Sequence, residues 1–279
     1  MKKFRYGFLL SAIIGCLLMS ASALAASKVW VPTVSTDYSI FDEGATLKTE
    51  SRVFSFNNSG WVTKTGNRKY TWKNSTLKKI TDLNTGRTTS FSYDKKGLLK
   101  KIIDYRRGVK EQYTYTWKKN VATVKLVSSY KDNRVKSYKI KIDEKKRMSS
   151  AEIIYKDGTK GKYTYQYYSN NNLKTYKERY ADGSSRVSKY NKNGFPISRT
   201  SYDASGSITY VSKFKYFMDP KKKCPREEIV TSLNKATGDT SKRKSVFSSF
   251  KKVSQARNCI PTMALPSYFW TYTCGDWFF

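Results

Sequence analysis

Residues 155–183, YKDGTKGKYTYQYYSNNNLKTYKERYADG, decide how this chain folds. Within them Tyr163-Thr164-Tyr165-Gln166-Tyr167 alternates aromatic and polar residues with a period of two, so the rings share one face and Thr and Gln share the other. A helix would need apolar residues at three- and four-residue spacing over several turns, and the run is interrupted too soon for that. Turn residues bracket it on both sides. Tyr155-Lys156-Asp157-Gly158 and Tyr180-Ala181-Asp182-Gly183 read as two-residue type I′ hairpins, because Asp and Gly accept positive φ at low cost. Tyr168-Ser169-Asn170-Asn171-Asn172 reads as a longer loop that opens with a type I turn and closes on a left-handed residue, here Asn172.

Working outward, both signals recur. The longer loop returns at Phe56-Asn57-Asn58-Ser59-Gly60, Tyr93-Asp94-Lys95-Lys96-Gly97 and Tyr190-Asn191-Lys192-Asn193-Gly194, with Gly97 and Gly194 as left-handed positions. Looser Asp-Gly turns stand at Tyr105-Arg106-Arg107-Gly108 and Tyr130-Lys131-Asp132-Asn133. The closing residues Gly86, Gly108, Asn133, Gly158, Gly183 and Gly206 are spaced by 22, 25, 25, 25 and 23, which makes each unit one two-stranded hairpin. A further copy runs from Ile229 to Phe250. Alternation at Tyr113-Thr114-Tyr115-Thr116-Trp117, Tyr138-Lys139-Ile140-Lys141-Ile142 and Phe214-Lys215-Tyr216 supplies the strands between turns. The expected fold is all-β, a long antiparallel meander of about 16 strands in which each hairpin buries its apolar face against its neighbours.

With Tyr93-Asp94-Lys95-Lys96-Gly97-Leu98 and Tyr202-Asp203-Ala204-Ser205-Gly206 as its best matches, the array from about Ser51 to Phe250 resembles the YD repeat of the RHS family of bacterial surface and secreted proteins. That resemblance implies a coiled antiparallel sheet and an extracellular role in carbohydrate binding or toxin packaging. Trp117-Lys118-Lys119-Asn120 and Ile142-Asp143-Glu144-Lys145 depart from the Tyr-Asp pair.

The first 25 residues read as a bacterial export signal: basic Lys2, Lys3 and Arg5, an apolar stretch from Phe8 to Met19, and Ala23-Leu24-Ala25 before a cleavage at Ala26. The apolar stretch is short for a membrane span. Ile13-Ile14-Gly15-Cys16 offers lipidation at Cys16 as an alternative. The expected organisation is a signal at 1–25, a lead-in at 26–50, the hairpin array at 51–250 and a Cys- and aromatic-rich cap at 251–279, in a protein secreted or held at the cell surface.

The chain carries 54 Lys and Arg against 21 Asp and Glu, a formal charge of +33, and no His. Such an excess suits a polyanionic partner, an acidic polysaccharide or another cell-envelope polyanion, with nucleic acid a less favoured option. Lys on the solvated face also discourages sheet edges from pairing. Two basic clusters stand out as polyanion-binding candidates, Lys221-Lys222-Lys223 and Lys242-Arg243-Lys244. Rings that alternate in phase with the strands belong to the core, which leaves Trp270 and Trp277 in the tail as candidates for stacking on a ligand.

Three Cys follow the signal. Cys224–Cys259 would staple the end of the array, and Cys259–Cys274 would clip the tail instead. Three Cys without His match no zinc pattern, and no cofactor site is expected. Without His there is no Ser-His or Cys-His pair, and most Asp belong to turns, so a non-catalytic binder is expected. Asp143, Glu144, Glu152 and Glu178 are the carboxylates available to a glycan-active enzyme as an alternative. The aromatic tail ending at Phe279 resembles the terminal strand of outer-membrane β-barrels, a second alternative that outward Lys and short strands oppose.

Overall fold

The computed structural model describes residues 29–41, 44–73, 76–106, 109–129 and 134–253. Among them the chain forms β1 (Val29–Ile40), β2 (Thr46–Phe56), β3 (Val62–Thr65), β4 (Arg68–Lys73), β5 (Thr76–Asp82), β6 (Thr88–Tyr93), β7 (Leu99–Arg106), β8 (Val109–Lys118) and β9 (Val121–Ser128). It continues as β10 (Val135–Ile142), β11 (Met148–Tyr155), β12 (Lys160–Tyr167), β13 (Leu173–Arg179), β14 (Ser185–Tyr190), β15 (Pro196–Tyr202), β16 (Ile208–Met218), β17 (Pro225–Asn234) and β18 (Thr240–Val253). Every strand pairs antiparallel with the next, and β1 also pairs with β18, from Val29 opposite Val253 to Ile40 opposite Lys242. The meander is therefore a closed barrel of eighteen described strands, where the repeats predicted about 16 strands and the YD-repeat resemblance implied a coiled sheet. The stretch taken as a lead-in supplies β1 and the first part of β2, the staves that shut the ring. Closure pairs both edges that an open sheet would expose.

The two turn motifs build one turn. In Asp94–Leu98 the Gly97 amide donates to the Asp94 carbonyl and the Asp94 amide to that of Leu98; Tyr155–Thr159 repeats both bonds through Gly158 and Tyr155. Only the Gly of the Asp-Gly pair takes positive φ, +85° at Gly158 and +86° at Gly183, so these are type I turns closed by a bulge, not type I′ pairs. The side chain of Asp157 instead accepts the Thr159 amide at 2.9 Å. In the Asn-rich loop the left-handed residue is Asn171, at φ +71°, because the turn opens at Tyr168 and not at Ser169. Gly108 and Asn133 lie outside the described residues. Loops at 82–87, 219–224 and 234–239 are one residue longer and place Gly86, Lys223 and Gly238 at positive φ.

Turns alternate between two rims. One rim, joining β2 to β3, β6 to β7, β10 to β11 and so on, is marked by bulges that shift the register beside Phe56, Tyr93, Ile142, Tyr167 and Tyr190. We call it the bulge rim; Val29 and Val253 also lie there. Next to it the inward residues are apolar: Val62, Leu77, Leu99, Met148, Leu173 and Phe195 are all buried. Lower in the barrel, one arc lines the interior with Tyr70, Tyr113, Tyr115, Tyr138, Tyr163 and Tyr165, while β1, β14, β16, β17 and β18 contribute buried Ser35, Ser188, Ser212, Ser232 and Ser245. Within the aromatic arc the rings pack on those of nearby staves, Tyr165 on Tyr176 at 4.9 Å between centroids and Tyr113 near Tyr138 at 6.0 Å.

Candidate functional site

The outer face is polar and lysine-rich. β8 shows the rule: Lys110, Thr114, Thr116 and Lys118 are exposed, while Glu111, Tyr113 and Tyr115 between them are buried. Across strands, paired positions form rows in which Lys alternates with Ser or Thr. One row runs Gln166, Thr175, Lys189, Ser198, Lys213, Thr231, Lys242. Lys189, Lys213 and Lys242 thus recur every second strand, roughly 10 Å apart at normal strand spacing.

The inner face turns polar away from the bulge rim, and here carboxylates and Arg concentrate. Asp37 and Glu50 lie opposite each other on β1 and β2, and Arg52 bonds Glu50 and sits 3.5 Å from Asp37. That hydrogen bond lowers the Glu50 carboxyl and raises the Arg52 guanidinium from their ordinary values. Glu228, 6% exposed, accepts the Tyr216 hydroxyl at 2.7 Å and lies 3.9 Å from Arg243. Glu178 accepts both Tyr176 and Tyr180 hydroxyls and pairs with Arg186 at 3.5 Å. Asp104 and Glu111 stand directly opposite each other on β7 and β8, both buried, the first bonded by Thr89 and the second by Tyr113 and Ser128. Burial raises the Tyr176 and Tyr115 phenols, so these rings stay neutral donors.

The two basic clusters are not one site. Lys221, Lys222 and Lys223 occupy the bulge-rim loop between β16 and β17, where Lys222 pairs with Asp219 at 3.0 Å and covers the Phe250 ring. Lys242, Arg243 and Lys244 begin β18 near the other rim. Lys244 pairs with Glu227 at 2.8 Å, and Arg243 faces inward to Glu228, which leaves Lys242 outward and exposed. The carboxylates held in reserve for catalysis are likewise scattered. Asp143 caps its own turn and takes Arg147 at 2.6 Å, which holds its carboxyl low against the opposing effect of burial. Glu144 is exposed beside it. Glu152 faces outward to Lys160, and Glu178 faces inward. Cys224 is buried, and burial raises its thiol; Cys259, Cys274, Trp270, Trp277 and the whole leader lie outside the described residues.

No family model matches the chain, and no curated protein matches it. Solved structures that align with it include a porin-like protein from Bacteroides uniformis, with 8% identity, 78% of this chain and 97% of that one covered, and a TM-score of 0.27. The TcdB2-TccC3-Cdc42 structure aligns at 13% identity over 76% of this chain and 15% of that one, with a TM-score of 0.29. A domain described as an outer membrane lipoprotein-sorting protein from Vibrio parahaemolyticus aligns at 11% identity over 84% and 90%, with a TM-score of 0.24. Likeness at this level carries no argument about function.

The inward Arg and carboxylate groups are what sequence reading missed. One signal was present: Arg52, Arg186 and Arg243 fall at inward positions, whereas strand Lys fall almost wholly outward. A guanidinium pairs in a confined space with fixed geometry, and a flexible, strongly hydrated ammonium prefers water.

Proposed function

We propose that this chain is an exported, non-catalytic barrel whose water-facing, lysine-rich surface holds an acidic polymer of the cell envelope. One observation carries the reading: on a closed sheet the aromatic face is turned in and packed, and the lysine face is turned out. Outward Lys exceed the outward acids, so the surface of the barrel attracts polyanions. The inner carboxylates are each met by hydroxyl or guanidinium donors, which suits a structural role. The resemblance to YD repeats points to the same extracellular setting.

A second reading is an outer-membrane barrel, and closure favours it. Such a barrel needs an apolar outer band and strands of about nine to eleven residues. Here Lys125 and Lys139 occupy mid-strand outward positions, and β3, β4, β6 and β14 have four to six residues. An outward Lys at the bilayer midplane would cost about 2–4 kcal/mol.

The test is purification of the processed chain without detergent, followed by retention on an acidic-polymer resin over a salt gradient. The expected result is a monodisperse protein that binds at low salt and elutes as salt rises. No retention at low salt, or retention that survives molar salt, would overturn polymer binding; dependence on detergent would favour the membrane reading.

A further inference from the structure

Turns far apart in sequence meet on the bulge rim. The Lys146 ammonium donates to the Lys96 carbonyl at 3.0 Å, which joins the turn at 143–147 to that at 94–98. Between them lies the two-residue turn of Lys119 and Asn120, whose Asn120 carbonyl accepts the Ile142 amide at 2.9 Å. On the other side Lys145 and Arg147 both donate to Asn171, at 3.1 and 3.0 Å, and Asn170 and Asn172 donate to the Lys192 carbonyl at 2.7 and 2.8 Å. Five consecutive turns are knit side by side, and Lys95, Lys96, Lys119, Lys145, Lys146 and Lys192 are exposed on them.

The acids nearby do not cancel this charge at the surface. Asp94 points its carboxylate at the amides of Lys96 and Leu98, and Asp143 points at Arg147. Glu144 is the one exposed acid on these five turns. Described turns of the opposite rim are balanced, with Lys156 beside Asp157, Lys235 near Asp239, and Asp182 and Asp203 at the tips.

We infer that this lysine-studded arc of the bulge rim is where the acidic polymer is gripped, the chain lying across successive turn tips. The inference rests on the polymer-binding reading and gives it a place. Lys offers point charges without the planar fork of Arg, so the arc reads density of negative charge and not the shape of any one group. Phosphate and carboxylate polymers both qualify, the denser one binding more tightly.

The experiment compares two triple variants of the full processed chain with equal loss of charge. Lys96→Gln/Lys119→Gln/Lys192→Gln strips the arc, and Lys139→Gln/Lys177→Gln/Lys213→Gln strips the outer wall. Binding of labelled polyphosphate and of polygalacturonate is followed by fluorescence anisotropy over a salt series, with thermal melts as a folding control. The arc variant is expected to lose about tenfold or more in affinity for both, and the slope of log K against log salt to shrink by about 2, from three released counterions. The wall variant is expected to lose less than about threefold. Equal losses in the two variants would overturn the arc while polymer binding stands. Binding of one probe and not the other would overturn recognition by charge density. Tight binding to anionic phosphatidylglycerol vesicles with none to either polymer would overturn both the ligand class and the reading beneath it.

Discussion

The Trp117 indole donates to the Leu99 carbonyl at 2.6 Å, across the gap where β7 and β8 part company. The ladder between those strands ends at Lys101 opposite Thr114, two residues before Leu99 and three before Trp117. The same offsets recur three times: Trp72 to Val62 beyond Lys64 and Lys69, Tyr93 to Leu77 beyond Lys79 and Ser90, and Tyr167 to Met148 beyond Ser150 and Thr164. Near each bulge the backbone runs out of partners, and a ring that is both apolar and tipped with a donor satisfies the orphaned carbonyl. This explains why the strand-terminal aromatics are Trp and Tyr at these positions.

Removing only the donor should expose its value. Tyr93→Phe or Tyr167→Phe keeps the ring and strands the Leu77 or Met148 carbonyl, at an expected cost of about 1–2 kcal/mol in urea unfolding. Tyr210→Phe, on an exposed side chain, serves as the control and should change stability by less than about 0.5 kcal/mol. Equal effects in all three would remove the carbonyl from the account.

Backbone handedness gives a pair of opposite predictions. Gly97 has φ +76° with open space where a Cβ would stand, so Gly97→Val tests conformational strain alone and should cost about 1–2 kcal/mol. Lys119 holds φ +53° without being Gly, so Lys119→Gly should stabilise by up to about 1 kcal/mol. Thermal melts of the two proteins should shift in opposite directions.

Acid should unfold the barrel through its turns. The Thr85 amide holds the Asp82 carboxyl below the usual carboxylate range, the Ser205 hydroxyl does so for Asp203, and the Lys222 amide for Asp219. A carboxyl depressed in the folded state contributes stability that is present above its unfolded pKa of about 4 and disappears as pH falls through the folded value. Stability should therefore be level near neutrality and decline below about pH 4. Asn57, Asn191 and Asn234 open equivalent turns without a titrating group, so Asp82→Asn/Asp203→Asn/Asp219→Asn should flatten the acid decline and leave neutral stability nearly unchanged. A pH series of denaturant melts measures both limbs.

Deleting residues 26–41 from the processed chain removes β1 and leaves β2 and β18 as unpaired edges. Such edges template association, so size-exclusion chromatography should show oligomers or aggregate in place of a monomer. A monomer of unchanged melting temperature would mean that the ring is not closed by β1.

The strands of this fold were legible because period-two alternation at Tyr113–Trp117 and Tyr163–Tyr167 is a local signal, as was the turn chemistry around Gly97, Gly158 and Gly194. Closure was not legible. Val29 and Val253 stand at opposite ends of the described chain, and neither carries a mark of the other. The Asp-Gly turns were misassigned because one residue of offset separates a type I′ pair from a type I turn with a bulge. The basic arc was hidden for a different reason: Lys96 and Lys146 are fifty residues apart, and their proximity depends on how sharply the wall bends between them.

Because β18 returns to β1, the number of hairpins here is a constant of the molecule. An open array could gain a repeat at either end and bury it against the last one. A ring cannot: one more hairpin widens the circumference by two staves and moves Tyr113 and Tyr163, both buried, away from whatever they face. Gain or loss of a unit by duplication would have to be answered by new inward residues all the way round, so the unequal lengths of the repeats, and the Ser staves among the Tyr ones, are parts fitted to one size of barrel.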